Sequence, residues 1–121
     1  MSFEKPFKID FVFPYVNPED TAWKKNYNYF NSAVDKYKST SVRFRDFSLL
    51  KYIFRSIERY APFIDNVFMI VATEEQVPAY INKAYPKLKI ITHDRFIPKE
   101  YLPTFNSNTI EMTMKTIMLI L

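Results

Sequence analysis

Residues 66–72 read NVFMIVA, a run in which apolar side chains follow one another without alternation. Such a run is typical of a strand in a parallel sheet, because helices cover both faces of that kind of sheet. Two similar apolar segments occur elsewhere, IDFVF at residues 9–13 and LKIIT at residues 88–92. Pro14 directly follows the first of them and ends it. The three segments predict a short sheet of mainly parallel strands.

Helical patterns separate the predicted strands. Asp20 or Thr21 can cap a helix over residues 22–37, and Asp46 can cap a second helix that ends near residue 60. A short helix is predicted over residues 78–84, and a last helix from residue 108 to the end. Strands that alternate with helices predict an α/β fold with right-handed crossovers. We expect a partial Rossmann-like (GT-A-like) three-layer domain.

The length of the chain allows one domain at most, since it has 121 residues. Three strands are few for an α/β sheet, and the last predicted helix is apolar and has no C-cap signal. We therefore expect residues 1–121 to form a single, truncated N-terminal part of a larger domain. The N-terminus lacks a signal-peptide core and residues 117–121 are too few to span a bilayer, so a cytoplasmic chain is expected.

The composition excludes several classes of site. The chain has no cysteine and no glycine, which excludes disulfides, zinc–thiolate sites, P-loops and glycine-rich dinucleotide motifs. Any phosphate must therefore be held by side chains, helix N-termini or a metal ion. The net charge of +4 comes from basic residues interleaved with acidic ones, so no nucleic-acid partner is expected.

Ligands of open α/β sheets bind beyond the carboxyl ends of the strands. That rule selects three segments, residues 15–20, 73–76 and 93–95, which should converge on one edge of the sheet. Each segment is polar, although polar loops also follow strands that have no function.

The residues around the first predicted strand resemble a known family. The stretch IDFVFPYVNPEDTAW at residues 9–23 is similar to the first conserved region of the Stealth family. That region has a strand, an aromatic residue, Val, Asn or Asp, a turn, Asp and Trp, here Tyr15, Val16, Asn17, Asp20 and Trp23. The family's turn normally carries glycine, where this chain has Pro-Glu at residues 18–19. Residues 43–71 and 92–111 resemble the second conserved region.

The resemblance implies a function. Stealth proteins are similar to bacterial capsule polymerases, so the implied reaction is transfer of a sugar 1-phosphate from a UDP-hexose type of nucleotide sugar to a glycan hydroxyl. It also implies Mg²⁺ or Mn²⁺ as cofactor, although the sequence assigns no metal ligands. Family members continue into an Asn-Asp-Asp segment, so we expect self-association or a second chain to complete the domain. The expected location is the cytoplasm, at or near the inner face of the membrane.

Three residues are predicted to be catalytic, namely Asp20, His93 and Glu111. Phosphoryl transfer needs a group that positions or deprotonates the attacking hydroxyl, and carboxylates and imidazole serve that role. Each residue has a structural alternative. Asp20 can cap a helix, His93 can act as an ordinary hydrogen-bonding residue, and Glu111 can be a solvated charge.

Five further residues are predicted to bind substrate: Asn17, Arg43, Arg45, Asn106 and Ser107. Two guanidiniums beside a helix N-terminus would suit a diphosphate, although Arg45 can instead pair with its neighbouring aspartate. Asn106 and Ser107 are also good helix caps, and Asn17 is a good turn former. Tyr101 and Phe105 could stack on a sugar or a uracil ring, but core packing is the commoner fate of aromatic residues.

Two other functions remain open at the level of sequence. A GT-A-like glycosyltransferase would transfer the sugar rather than its phosphate, but such enzymes usually hold their metal with an Asp-X-Asp motif, which this sequence lacks. The other alternative is a non-catalytic truncated fragment or subunit.

Overall fold

The computed structural model describes residues 7–31 and 49–116. They form three strands and three α-helices, in the order β1 (Asp10–Pro14), α1 (Thr21–Asn31), α2 (Leu50–Tyr60), β2 (Asn66–Val71), β3 (Leu88–Thr92) and α3 (Ser107–Thr113). Single turns of 3₁₀-helix lie at Glu74–Gln76, His93–Arg95, Lys99–Tyr101 and Met114–Thr116.

The strands form one parallel sheet in the order β1-β2-β3. β2 is the central strand, and its residues from Val67 to Val71 are buried without alternation. Each strand begins and ends within one residue of its prediction, because a run of apolar, β-branched residues is interrupted at the same places where the pairing stops. The predicted α/β fold with a small parallel sheet is confirmed.

Successive side chains of β2 point to opposite faces of the sheet, and each face has its own cover. Val67, Met69 and Val71 lie on the side of α2, whose Leu50 and Ile57 pack against them. Phe68 and Ile70 pack on the other side in a cluster completed by Ile91, Ile97 and Ile110, the last of these from α3. Continuous burial of β2 therefore follows from its two covered faces.

β1 is much less covered than β2. Phe11 and Val12 of this strand are 38% and 39% exposed, and within residues 7–31 and 49–116 β1 pairs only with β2. An apolar edge strand of this kind is a surface on which another strand can pair.

The helix predicted over residues 78–84 is wrong. Two consecutive turns replace it, in which the Ile81 N–H donates to the Pro78 carbonyl (3.0 Å) and the Tyr85 N–H donates to the Asn82 carbonyl (3.1 Å). The Asn82 side chain accepts a hydrogen bond from the Ala84 N–H (3.0 Å). Asparagine can satisfy backbone groups in this way outside a helix, and here that local competition prevails.

Other helix predictions are confirmed in the described part. The first helix is described over Thr21–Asn31, and the remainder of its predicted range lies outside the described residues. Asp46, the predicted cap of α2, also lies outside them, and α2 begins at Leu50 with Leu49 as its N-cap. The last helix begins at Ser107, and its predicted end at residues 117–121 lies outside them too. Within the described ranges, no helix is sufficiently long and apolar to cross a membrane.

Candidate functional site at the carboxyl edge of the sheet

A cavity of about 660 Å³ lies where the three strands end. Its walls come from the start of α1, the loop after β2, the end of β3 and residues 102–105. A smaller cavity of about 180 Å³ adjoins it and shares five wall residues with it, Trp23, Ala72, His93, Thr104 and Phe105. The three segments that follow the strands thus converge on one edge, as parallel strands require.

Gln76 connects two of these segments. Its side chain is buried, with 1% of its surface exposed. The amide nitrogen Nε2 donates to Asp20 Oδ2 (2.7 Å) and to the Asn17 carbonyl (3.2 Å), and Oε1 accepts from the Asn17 N–H (2.7 Å). A neutral amide can both donate and accept, so this single side chain fixes the loop after β1 to the loop after β2.

Gln76 was not among the predicted site residues. The sequence held one signal for it, since Gln76 lies in the segment predicted to follow the second strand at the ligand edge. Its partners are 56 and 59 residues away, and no local pattern gives contacts of that range.

Asn17 and Asp20 have the structural roles that the sequence offered as alternatives to a functional role, turn formation and helix capping. Asn17 Oδ1 accepts from the Glu19 N–H (3.0 Å) and closes a turn. Asp20 Oδ1 accepts from the Ala22 N–H (3.2 Å) and caps α1. Asp20 also lines the larger cavity. Its carboxylate therefore faces the site while two hydrogen bonds hold it in position.

His93 is the first residue after β3 and lines both cavities. It is 3% exposed, and its ring packs edge to face on Phe96 with centroids 6.0 Å apart. Burial lowers the pKa of His93 from 6.5 to about 4, and the nearby charge of Asp94 opposes that change. At neutral pH the imidazole is therefore uncharged, with one nitrogen able to accept a proton and the other able to donate one.

His93 lines both cavities, although its side chain is buried. A ligand that entered either cavity would therefore lie beside this residue.

Four carboxylates line the larger cavity, those of Asp20, Glu74, Glu75 and Asp94. Thr92 Oγ1 donates a hydrogen bond to Asp94 Oδ1. Within residues 7–31 and 49–116 no three His, Cys, Asp or Glu side chains are grouped closely enough to hold a metal ion. Mg²⁺ commonly takes only one or two carboxylates together with water and substrate phosphates, so the Mg²⁺ or Mn²⁺ prediction stays a prediction.

An aromatic group forms the remaining wall. Trp23 and Tyr27 stack with ring centroids 5.1 Å apart, and Phe105 meets both edge-on at 5.7 and 5.2 Å. Trp23 and Phe105 line both cavities, so the half-buried Phe105 packs in this aromatic group and has one surface on the site. Tyr101 is 63% exposed and lines neither cavity.

The N-terminus of α3 borders the smaller cavity through Ser107. Asn106 and Glu111 are exposed and line neither cavity. Asn106 acts as the helix cap, because its Oδ1 accepts from the Asn108 N–H at 2.9 Å. Arg43 and Arg45 lie outside the described residues. The structure thus brings Asp20, His93 and Ser107 to the cavities, and the binding roles stay predictions.

Asn106→Ala is expected to lower the free energy of unfolding by about 1 kcal/mol, the usual cost of removing a side-chain N-cap. Urea unfolding followed by circular dichroism measures the change. Asn108→Ala is the control, because only the backbone of Asn108 takes part in the cap. Equal losses in the two variants would contradict the capping role.

The sequence profile described as Stealth protein CR2, conserved region 2, matches residues 43–120. This match covers more than half of the chain. The chain belongs to the Stealth family. The resemblance noted for residues 43–71 and 92–111 is thereby confirmed, and the family's second conserved region supplies α2, β2, β3, α3 and most of the residues of both cavities.

Relatives of this Stealth chain extend the similarity towards its N-terminus. It is 41% identical over 109 residues to the capsular polysaccharide phosphotransferase WcwK of Streptococcus pneumoniae, covering 88% of the chain and 32% of WcwK. It is 40% identical over 112 residues to the capsular polysaccharide phosphotransferase eps5J of Streptococcus thermophilus, and the alignment covers 90% of the chain and 46% of eps5J. For the exopolysaccharide phosphotransferase cps2G of Lactiplantibacillus plantarum the identity is 37%, with coverages of 93% and 32%.

These coverages exceed what residues 43–120 alone can supply, so the similarity reaches the β1 loop and α1. The Stealth chain spans less than half the length of each of these relatives.

Proposed function

We propose that this chain forms the donor-binding part of an enzyme that transfers a sugar 1-phosphate from a UDP-hexose type of nucleotide sugar to a glycan hydroxyl. The product would belong to a capsular or other cell-surface polysaccharide. The observation that carries the proposal is the cavity at the carboxyl edge, where segments after all three strands meet around Asp20 and His93. The names of the relatives, which are capsular and exopolysaccharide phosphotransferases, support the same reaction class.

In this reaction the acceptor oxygen forms a bond to the phosphorus that carries the sugar. The bond between that phosphorus and the bridging oxygen breaks, and the nucleoside monophosphate leaves with the electron pair. The hydroxyl proton must pass to a base. We assign that role to His93, which lines the cavity and is uncharged at neutral pH, although the burial that lowers its pKa also makes it a weaker base than a free imidazole.

Charge neutralisation must come from elsewhere. The described residues that line the two cavities include no lysine or arginine, whereas a diphosphate requires positive charge. We assign this role to Arg43 and Arg45, with a divalent cation as cofactor. Trp23 and Phe105 offer apolar ring surface to a base or a sugar.

The fold proposal is that this sheet is one half of a Rossmann-like, GT-A-like sheet. Three parallel strands in consecutive order make up such a half, and the exposed Phe11 and Val12 of β1 are suited to burial by further strands. Those strands would come from a second chain, from self-association or from more of the same polypeptide. A cytoplasmic location, at or near the inner face of the membrane, is part of the proposal.

Binding of UDP-N-acetylglucosamine tests the proposed donor site, with ligand-observed NMR in the presence and absence of Mg²⁺. The double variant Arg43→Ala, Asp20→Asn is expected to weaken binding about tenfold or more, because it removes charge-assisted contacts. Lys99→Ala is the control, since Lys99 is exposed and lines neither cavity.

Two outcomes would count against the proposal. If the folded wild-type chain does not bind the donor, a non-catalytic role becomes the better interpretation. If the double variant binds as tightly as the wild type, the donor does not occupy the carboxyl-edge cavity.

A further inference from the structure

A separate cavity of about 580 Å³ lies between α2 and the two turns over residues 78–85. It shares no wall residue with the two cavities at the carboxyl edge. Phe54, Tyr80, Ile81 and Tyr85 contribute aromatic and apolar surface to it, and Lys51, Arg55 and Arg59 contribute positive charge. We refer to this cavity as the α2 groove.

The three basic residues of the α2 groove form a row along α2. They are four residues apart, so they lie on one face of the helix at intervals of about 6 Å along its axis. Lys51 and Arg55 lie over the Tyr52 ring at 5.2 and 5.7 Å, and Arg59 lies over the Tyr60 ring at 5.5 Å. Within the described ranges, none of the three forms a salt bridge with an acidic residue.

The one acidic residue among the described residues that line the α2 groove, Glu58, interacts with other residues of the protein. Glu58 accepts a hydrogen bond from the Tyr85 hydroxyl and lies 3.9 Å from Lys87 Nζ. The groove therefore has a net positive charge and three cations able to receive anionic groups from a ligand.

The row of cations leads towards the candidate active site. Leu50, at the start of α2, packs with Val71 and Val77 at the carboxyl end of β2, while Ile57 packs with Val67 at the amino end. α2 thus runs antiparallel to the strands. Lys51 is the member of the row nearest to the carboxyl edge, and Arg59 is the farthest from it.

The proposed reaction also defines a polyanion. Each transfer leaves one phosphodiester, with one negative charge, between the transferred sugar and the sugar that accepts it, so repeated transfer gives a polymer with several negative charges. A groove with aromatic surface for sugar rings and three cations at regular intervals complements such a polymer in chemistry and in charge. Recognition of an anionic membrane surface usually takes a cluster of about four to eight Lys or Arg residues, and the described residues of the α2 groove include three.

We propose that the α2 groove binds the growing phosphodiester-linked glycan and guides its end to the carboxyl-edge cavity. The identity of this ligand rests on the proposed function. The groove would explain how a polymer is held while its terminal hydroxyl reacts, since Lys51, Arg55 and Arg59 would each bind a phosphodiester along the chain.

The test uses the full 121-residue chain and a synthetic oligomer of N-acetylglucosamine joined by 1-phosphodiester linkages. Its dissociation constant is measured by isothermal titration calorimetry at low salt. The double variant Arg55→Gln, Arg59→Gln is expected to bind the oligomer about tenfold more weakly. The matched variant Lys25→Gln, Lys99→Gln removes the same net charge from exposed positions outside the groove and should bind as the wild type does.

Thermal unfolding confirms that both double variants are folded, and three further measurements interpret the result. A neutral N-acetylglucosamine oligomer of equal length should bind much more weakly than the phosphodiester oligomer. Equal binding of the two oligomers would overturn the proposal. Binding to vesicles of phosphatidylglycerol and phosphatidylcholine that depends on Arg55 and Arg59, with no such dependence for the oligomer, would also overturn it.

The third measurement is the affinity for UDP-N-acetylglucosamine, which the groove variant should retain. If the donor binds but oligomer binding is the same in both double variants, the groove proposal fails and the proposed function stands. If the donor does not bind but oligomer binding depends on Arg55 and Arg59, the groove stands as a phosphodiester site and the donor assignment fails.

Discussion

Gln76→Leu is expected to lower the free energy of unfolding by about 3 kcal/mol and to weaken donor binding. The leucine side chain fills a similar volume but can neither donate nor accept a hydrogen bond. The Asn17 N–H and the Asn17 carbonyl would each lose a partner at 2.7 and 3.2 Å, and Asp20 would lose its donor at 2.7 Å. Because these groups are partly or wholly shielded from water, their lost hydrogen bonds are only partly replaced.

Donor binding should weaken because the loop after β1 is no longer fixed to the loop after β2. Both loops form walls of the larger cavity, and a wall that fluctuates must be ordered again each time a ligand binds. Urea unfolding and ligand-observed NMR with UDP-N-acetylglucosamine measure the two effects. Glu100→Gln, an exposed change outside both cavities, is the control and should change stability by less than about 0.5 kcal/mol.

Gln76→Glu tests the hydrogen bonds of Gln76 without a change in the shape of its side chain. This change preserves the acceptor for the Asn17 N–H but places a carboxylate oxygen against Asp20 Oδ2 in place of the donor Nε2. Two adjacent carboxylates raise the pKa of one of them in the folded state, so the folded state binds the extra proton more tightly. The loss of stability should therefore be greatest at pH 7 and should shrink as the pH falls towards 5. A loss that is independent of pH would contradict the contact between Gln76 and Asp20.

The parts of the fold that follow from local pattern were predictable. The three strands are runs of β-branched and apolar residues bounded by proline, asparagine or polar residues, and the structure places them within one residue of the predicted bounds. The end of α2 at Tyr60 also lies where the sequence placed it. Parallel pairing then required the strand-end segments to converge, whatever their individual sequences.

The parts that depend on distant contacts were not predictable. Gln76 owes its importance to partners in the β1 loop. The burial of His93 does not follow from its polar sequence neighbours, Thr92 and Asp94. The turns over residues 78–85 replaced a predicted helix because Asn82 binds a backbone N–H in its own segment. Those turns also form one wall of the α2 groove, which the sequence did not indicate.

The His93 ring is expected to titrate with a midpoint near pH 4, since burial lowers its pKa from 6.5 to about 4. His93 is the only histidine of the chain, so its ring protons give a single pair of imidazole resonances in an NMR titration. Asp94→Asn should lower the midpoint further, because the Asp94 charge favours the protonated ring. A wild-type midpoint near 6.5 would mean that the ring is solvated and not buried.

The same shift makes folding depend on pH. An imidazole whose pKa is lower in the folded state than in the unfolded state binds fewer protons when folded, so protonation favours unfolding. The contribution of uncharged His93 to the free energy of unfolding is fully present above pH 6.5. It falls by about 3 kcal/mol as the pH decreases from 6.5 towards 4. Urea unfolding of the wild type and of His93→Gln at pH 7, 5.5 and 4 measures this dependence.

The glutamine variant lacks a group that titrates at this position, and its free energy of unfolding should therefore fall less steeply over the same range. Other groups titrate equally in both proteins, so the difference between their pH profiles isolates His93. Parallel profiles would contradict the lowered pKa. The direction of the shift also bears on the proposed reaction. A ring that is uncharged at neutral pH has a nitrogen free to accept the proton of an attacking hydroxyl, and its lowered pKa makes it a weaker base than a free imidazole.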